Sequence, residues 1–171
     1  IVSIFLGEEL DAVMKSIEND TYFGKQQKVQ MEIGASVIPH FTKDNTDRNR
    51  TSPFAFTGNK FEFRMLGSSI SVAGPNVVLN TAVAEALAQF YEELKSSPAE
   101  SMDVAVHELV KRAIVKHKKV IFNGNGYTDA WVEEAKERGL YNLKSTPEAL
   151  PYFISDKNIA LFTSHHVFTK G

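Results

Sequence analysis

Charged and apolar side chains alternate in residues 60–66, which read Lys-Phe-Glu-Phe-Arg-Met-Leu. Because side chains alternate between the two faces of a strand, this pattern places Glu62 and Arg64 on one face. The apolar side chains point to the other face, which we expect to pack beneath helices: Phe61, Phe63 and Met65. Taken alone, the charged pair is most simply an exposed ion pair, which contributes little to stability.

The segments that flank this strand carry further motifs. Residues 48–59 before it read Arg-Asn-Arg-Thr-Ser-Pro-Phe-Ala-Phe-Thr-Gly-Asn, and residues 74–76 after it read Gly-Pro-Asn at the start of a helical pattern. This series resembles the late catalytic region of glutamine synthetases, in which an Asn-Arg-Ser motif, a Glu-x-Arg strand and an Asn-Pro-containing helix start follow in the same order. Gly74-Pro75-Asn76 departs from that pattern, because it replaces the Asn-Pro-Tyr order of the common type I enzymes. The sequence from Asn49 to Arg64 resembles the type III branch specifically. This resemblance favours a catalytic role for the Glu62–Arg64 pair over a simple surface ion pair.

The resemblance implies ATP-dependent ligation of ammonia to glutamate through a γ-glutamyl phosphate intermediate. Such a site must neutralise phosphate charge with a divalent metal and with arginine. In this reading Glu62 is a ligand of Mg²⁺ or Mn²⁺, and Arg64 is a forked donor to phosphate. Arg50 matches the family arginine that meets substrate or transferring phosphate, and Arg48 matches the preceding ATP-site arginine.

Part of the family pattern is absent from this chain. The family carries a further arginine soon after Arg50, where this chain has Ala55. Its other metal-binding glutamates and histidine, its ammonia-site aspartate and its nucleotide-binding segments are expected upstream of Ile1. One metal ligand cannot build the site, so we expect the intact parent to be the enzyme and this chain alone to be inactive. The resemblance also implies hexameric rings, commonly paired into dodecamers.

The elements that position these residues follow from periodicity and capping signals. Residues 1–6 read as a strand, a helix should follow to about Asn19, and residues 30–38 read as a further strand before a loop at 40–49. Helices are predicted over residues 76–95 and 98–117, and a capping box at Ser97 and Glu100 should join them as an antiparallel hairpin.

The predicted fold class is therefore α+β, with a small, mainly antiparallel sheet followed by a helical half. We expect residues 1–96 to be the last part of the catalytic domain and residues 97–171 to be a helical, type III-specific region. The chain does not begin with Met, and both of its ends look cut from a longer protein.

Composition bounds the class of protein. The 171 residues are 43% hydrophobic, carry a net charge of −2 and contain no cysteine. The charge argues against a nucleic-acid binder, and no apolar run approaches the roughly 18 to 20 residues that a membrane span needs. Without cysteine there is no disulfide or thiolate site. A cytoplasmic location is expected.

Other candidate sites have simpler readings. Residues 119–126 precede a helix with the pattern Asn-Gly-Asn-Gly, but they lack the spaced glycines and Lys-Ser/Thr ending of a phosphate-binding loop, so we expect a turn. Adjacent residues point apart, so at most one of His165 and His166 could join a metal site. We read both as structural or surface residues, together with His107 and His117, and leave His40 unassigned.

Two alternatives to the ligase interpretation stay open. The chain could be a non-catalytic helical interaction lobe of a larger protein, in which the Glu62 strand is only a docking edge. It could also come from a relative that has lost activity. Altering Glu62 in the intact parent separates catalysis from assembly.

Overall fold

The computed structural model describes residues 1–21 and 50–169. The predicted strand at 30–38, the loop at 40–49 and Arg48 lie outside these residues. The described elements, in chain order, are β1 (Ile4–Phe5), α1 (Glu8–Glu18), β2 (Phe54–Phe56), β3 (Phe61–Phe63), α2 (Ala73–Lys95), α3 (Met102–His117), a 3₁₀ turn (Lys118–Val120), α4 (Asp129–Glu137), α5 (Thr146–Phe153) and α6 (Asp156–Ser164).

The sheet in the described residues is mixed. Its order is β1-β2-β3, with β1 parallel to β2 and β2 antiparallel to β3. Parallel neighbours need a crossover connection, and the connection from β1 to β2 contains α1. Ile121 extends the sheet by a parallel bridge to Ile4. The α+β class is confirmed, and the expectation of a mainly antiparallel sheet is corrected.

Helix α1 has the extent that its sequence predicts. Gly7 precedes it with a φ of 80°, a conformation that costs least for a residue without Cβ. The apolar residues Leu10 and Val13 are half-buried, while Lys15 Nζ reaches the Asp11 carboxylate at 2.7 Å. The hydrogen bond to Asp11, followed by the attraction of its charge, raises the pKa of Lys15. The predicted helix is therefore confirmed.

The chain divides into two compact units. The first, the sheet unit, comprises Val2–Arg64 and Val110–Leu140. Its described core is built around Trp131, which is 2% exposed and stacks on Phe122 with ring centroids 3.8 Å apart. The other buried residues of this unit are Ser3, Phe5, Leu6, Ser52, Ala55, Ile114 and Ala135.

The second, the helical unit, comprises Ile1, Met65–Leu109 and Tyr141–Gly171. Helix α6 contacts both α2 and α5. Phe162 of α6 is buried, with the Phe153 and Phe168 rings at 6.3 and 5.0 Å. His165 Nε2 lies 2.8 Å from Glu85 Oε2 and so ties the end of α6 to α2. His165 therefore has the structural role that its sequence context predicts.

The predicted helix hairpin is only partly correct. α2 and α3 are separate helices, but α3 begins at Met102 rather than Pro98, because Ser101 Oγ accepts the Val104 N–H at 3.3 Å. Among the described residues, Ser97 Oγ accepts from the nearby Ala99 N–H and not from an amide of α3. The connection is then longer than the roughly 2–5 residues that force neighbouring helices together. Among the described residues α2 packs along α6, not along α3.

Within the described part of the chain, no helix has the length and apolar character needed to span a membrane. Helix α2, the longest at 23 residues, and the shorter helices are each too short or too polar to cross a bilayer.

Candidate functional site

Glu62 and Arg64 lie at the end of β3 and pair with each other. Arg64 Nε and Nη2 donate to the same carboxylate oxygen, Glu62 Oε2, at 3.2 and 3.0 Å. The backbone keeps both residues in register, since Glu62 lies opposite Ala55 and the Arg64 N–H donates to Pro53 O at 2.7 Å. The two side chains therefore share a face, as the alternation predicts.

The two faces of the sheet are not buried as expected. Phe61 and Met65 are each 48% exposed, although the Phe61 ring packs against Phe54 and Phe56 at 5.5 and 5.2 Å. On the Glu62 side, Ala55 is 0% exposed and its partner Phe5 is 2% exposed. The prediction of a buried, helix-covered face is therefore wrong for Phe61 and Met65, while Phe63 is half-buried.

Glu62 nevertheless remains accessible, because β3 is the edge strand of the described sheet. Its side chain is 42% exposed, and that of Arg64 is 24% exposed. Within the described residues Oε1 of Glu62 has no hydrogen bond, so one carboxylate oxygen is available while the other holds Arg64. The face that carries Glu62 is thus buried at β1 and β2 and open at β3.

The donor chemistry of Glu62 fits a divalent metal as a single ligand. Mg²⁺ and Mn²⁺ prefer carboxylate oxygens, and Glu62 offers one in an exposed position. In residues 1–21 and 50–169, however, no three His, Asp or Glu side chains converge in a way that could hold a metal ion. A complete site at Glu62 therefore requires ligands from outside this described set.

Arg50 precedes β2 and Arg64 follows β3. Because these strands are antiparallel, both residues lie toward the same end of the pair. Arg50 is exposed, and its carbonyl accepts from the Tyr127 hydroxyl at 3.4 Å. Two residues later the buried Ser52 donates to Phe54 O at 2.8 Å and so fixes the entry into β2. Arg48 lies outside the described residues.

The third motif, Gly74-Pro75-Asn76, lies in the first turn of α2. Proline is well tolerated there because first-turn amides have no intrahelical acceptor. These residues belong to the helical unit, whereas Arg50, Glu62 and Arg64 belong to the sheet unit.

The turn predicted near residues 119–126 is present, but the sequence did not predict the contacts that residues 123–127 make. Asn123 Oδ1 accepts from the backbone N–H groups of Leu6 and Gly7, and Gly126 N–H donates to Thr51 Oγ1 at 2.8 Å. The repeated Asn-Gly pattern correctly predicts a break between elements. No local signal reports its partners, which lie 75 and more positions away.

Known proteins resemble this chain along its length. Residues 105–171 match the glutamine synthetase C-terminal domain family. Over 99% of its residues the chain is 49% identical to a type-3 glutamine synthetase of Dictyostelium discoideum, of which it covers 23%. It is also 46% identical to a glutamine synthetase of Butyrivibrio fibrisolvens and 37% identical to one of Bacteroides fragilis, covering 24% of each.

The chain thus spans about a quarter of the length of the curated relatives it matches. Its similarity includes both the Glu62 strand and the helical part that follows. The resemblance read from the motifs is therefore confirmed: residues 105–171 match the glutamine synthetase C-terminal domain family, and nearly the whole chain is similar to a part of a type-3 glutamine synthetase.

Proposed function

We propose that this chain is part of an enzyme that ligates ammonia to glutamate, using ATP and a γ-glutamyl phosphate intermediate. The observation that carries the proposal is the Glu62–Arg64 pair, a partly exposed carboxylate and guanidinium on one strand edge, within a chain similar over 99% of its length to glutamine synthetases. A carboxylate beside a guanidinium is the pairing that metal-assisted phosphoryl transfer needs.

Each side chain has a distinct proposed role. Glu62 would hold Mg²⁺ or Mn²⁺, which supplies charge neutralisation for the phosphates of ATP when bound. Arg64 would donate its fork to phosphate, and its present bond to Glu62 Oε2 holds the guanidinium beside the metal ligand. Arg50 and Arg48 would meet the substrate or the transferring phosphate.

The isolated chain should lack activity. A metal-dependent transfer needs several ligands around the ion, and the described residues bring no cluster of three together. We assign residues 1–96 to the end of the catalytic region and residues 97–171 to the helical region. The parent would be a cytoplasmic oligomer of hexameric rings.

A second function is supported by a separate observation. On α2, Val83, Leu87 and Tyr91 follow each other at intervals of four residues and are 57%, 61% and 61% exposed. A helix that is apolar outside its packed face is typically covered by another surface. This favours an assembly lobe as the alternative, in which the Glu62 strand has no catalytic part.

One substitution separates the two functions. Glu62→Gln keeps the size of the side chain but weakens metal ligation, so turnover of the intact parent should fall by orders of magnitude. Its free energy of unfolding should change by less than about 0.5 kcal/mol. Glu133→Gln, on the exposed side of α4, is the matched control and should retain full turnover.

The assembly alternative makes the opposite prediction. Under it, Glu62→Gln leaves turnover normal, while Leu87→Asp on the exposed α2 face changes the sedimentation coefficient of the parent. Normal turnover after Glu62→Gln would remove the catalytic assignment.

A further inference from the structure

The backbones of Gly126 and Thr51 lie close together within the sheet unit. The Gly126 N–H donates to Thr51 Oγ1 at 2.8 Å. A Cβ atom at position 126 would lie 2.5 Å from the Thr51 carbonyl oxygen, well inside van der Waals contact. The obstacle is a backbone atom and cannot rotate away, so only glycine allows the two segments to approach this closely.

The loop that contains Gly126 is anchored on both sides. Before it, the Asn123 side chain accepts from the backbone N–H groups of Leu6 and Gly7 at 3.0 and 3.2 Å. After it, Thr128 Oγ1 caps α4 by accepting from the N–H of the buried Trp131 at 3.3 Å. The loop is therefore held by the core and can act as a fixed support for what rests on it.

The segment that carries Arg50 is hydrogen-bonded to this loop. Besides the bond at Thr51, the Tyr127 hydroxyl donates to Arg50 O at 3.4 Å. The Arg50 side chain itself is exposed. The loop thus contacts the backbone at and beside Arg50 and leaves its guanidinium accessible.

We propose that residues 123–127 are a positioning element that sets the direction of Arg50 toward substrate or transferring phosphate. This rests on the function proposed above for Arg50. A displacement of about 1 Å in a positioned group can reduce turnover by about 10²-fold. Residues 123–127 lie within the matched C-terminal domain, which thereby supports the catalytic arginine through Gly126 and Thr51.

The test uses the intact parent enzyme. Gly126→Ala should lower kcat about 10- to 100-fold, because the added methyl group pushes the Thr51 backbone away. Thr51→Ala should lower kcat as well, and Thr51→Ser, which keeps the acceptor oxygen, should restore it to within about threefold. The matched controls are Gly67→Ala, whose Cβ meets only the mobile end of the exposed Ile70 side chain, and Thr146→Ala at an exposed position.

A double-mutant cycle with Arg50 separates positioning from general destabilisation. If the loop acts through Arg50, Gly126→Ala should cause little further loss of kcat in the Arg50→Ala background. Equal fractional losses in both backgrounds would overturn the positioning role and leave the proposed ligase function intact. Normal kcat for Arg50→Ala itself would overturn the role of Arg50, and the positioning proposal with it.

The proposal can still be tested if the Gly126→Ala variant fails to fold. The Thr51→Ala and Thr51→Ser pair then replaces it in the same cycle, with the melting temperature of each variant measured alongside kcat. Loss of kcat in Thr51→Ala that Thr51→Ser rescues, and that disappears in the Arg50→Ala background, supports the proposal. Equal kcat for Thr51→Ala and the wild type contradicts it.

Discussion

Asn123 Oδ1 accepts the backbone N–H of Leu6 at 3.0 Å, across 117 positions of the chain. The same oxygen accepts the N–H of Gly7 at 3.2 Å, at the start of α1. The neighbouring Phe122 N–H donates to Ile4 O at 2.9 Å. Side chain and backbone together hold the first strand against the segment that leads into α4.

Asn123→Ala should destabilise the chain by about 1–3 kcal/mol, because it leaves a part-buried backbone donor without its acceptor. Asn123→Asp keeps an acceptor oxygen and should recover most of the loss. The free energy of unfolding in urea measures both. Asn125→Ala removes only a local bond to the Tyr127 N–H and should cost less. Equal costs at 123 and 125 would contradict the anchoring role.

Ser101, not Ser97, should be the residue on which the start of α3 depends. Ser101→Ala removes the acceptor of the Val104 N–H and should cost about 1 kcal/mol, the usual value for loss of an N-cap. Ser97→Ala should cost less, because in the described part of the chain Ser97 Oγ accepts from Ala99 and not from an amide of α3. Thermal melts followed by circular dichroism compare the two. A larger effect at Ser97 would restore the helix start predicted from the capping box.

The Glu85–His165 contact should make the helical unit sensitive to acid. The hydrogen bond from His165, and secondly that from Gln89, lowers the pKa of Glu85 below its ordinary value. A group with a lowered folded pKa contributes stability above its unfolded pKa, and this contribution is lost as the pH falls through the folded pKa.

Glu85→Gln should therefore reduce the free energy of unfolding near neutral pH and flatten its decline below about pH 4.5. Glu92→Gln, an exposed glutamate on the same helix, is the control and should keep the wild-type slope. Urea titrations at a series of pH values supply the measurement. An unchanged acid slope for Glu85→Gln would show that the contact does not stabilise the folded state.

Trp131 should contribute more to stability than any exposed aromatic residue of the chain. It is 2% exposed, stacks on Phe122 and lies beneath the Arg138 guanidinium at 5.3 Å. Trp131→Ala should cost about 3–5 kcal/mol, as for other buried aromatic truncations. Tyr141→Ala, at 68% exposure, should cost less than about 1 kcal/mol. Comparable melting temperatures for the two variants would contradict the assignment of Trp131 to the core.

Much of the local structure could be predicted from the sequence. The period of Leu10, Val13, Met14 and Ile17 predicted α1, and the alternation around Glu62 predicted its common face with Arg64. These features depend on neighbours only a few positions apart, whose geometry follows from helix and strand periods. The motif order around the same strand also predicted the family, which the similarity to glutamine synthetases confirmed.

Other features required the tertiary structure because distant segments compete for the same surfaces. Alternation cannot tell which face of the sheet is buried, and in the structure the buried Phe5 and Ala55 lie on the same side as Glu62. Helix α2 is apolar around much of its circumference, so its sequence did not identify α6 as its partner. The contact of Gly126 with Thr51 joins residues 75 positions apart. The sequence determined where elements form and which chemistry they carry, since both are local; the fold decided which elements meet, since packing is long-range.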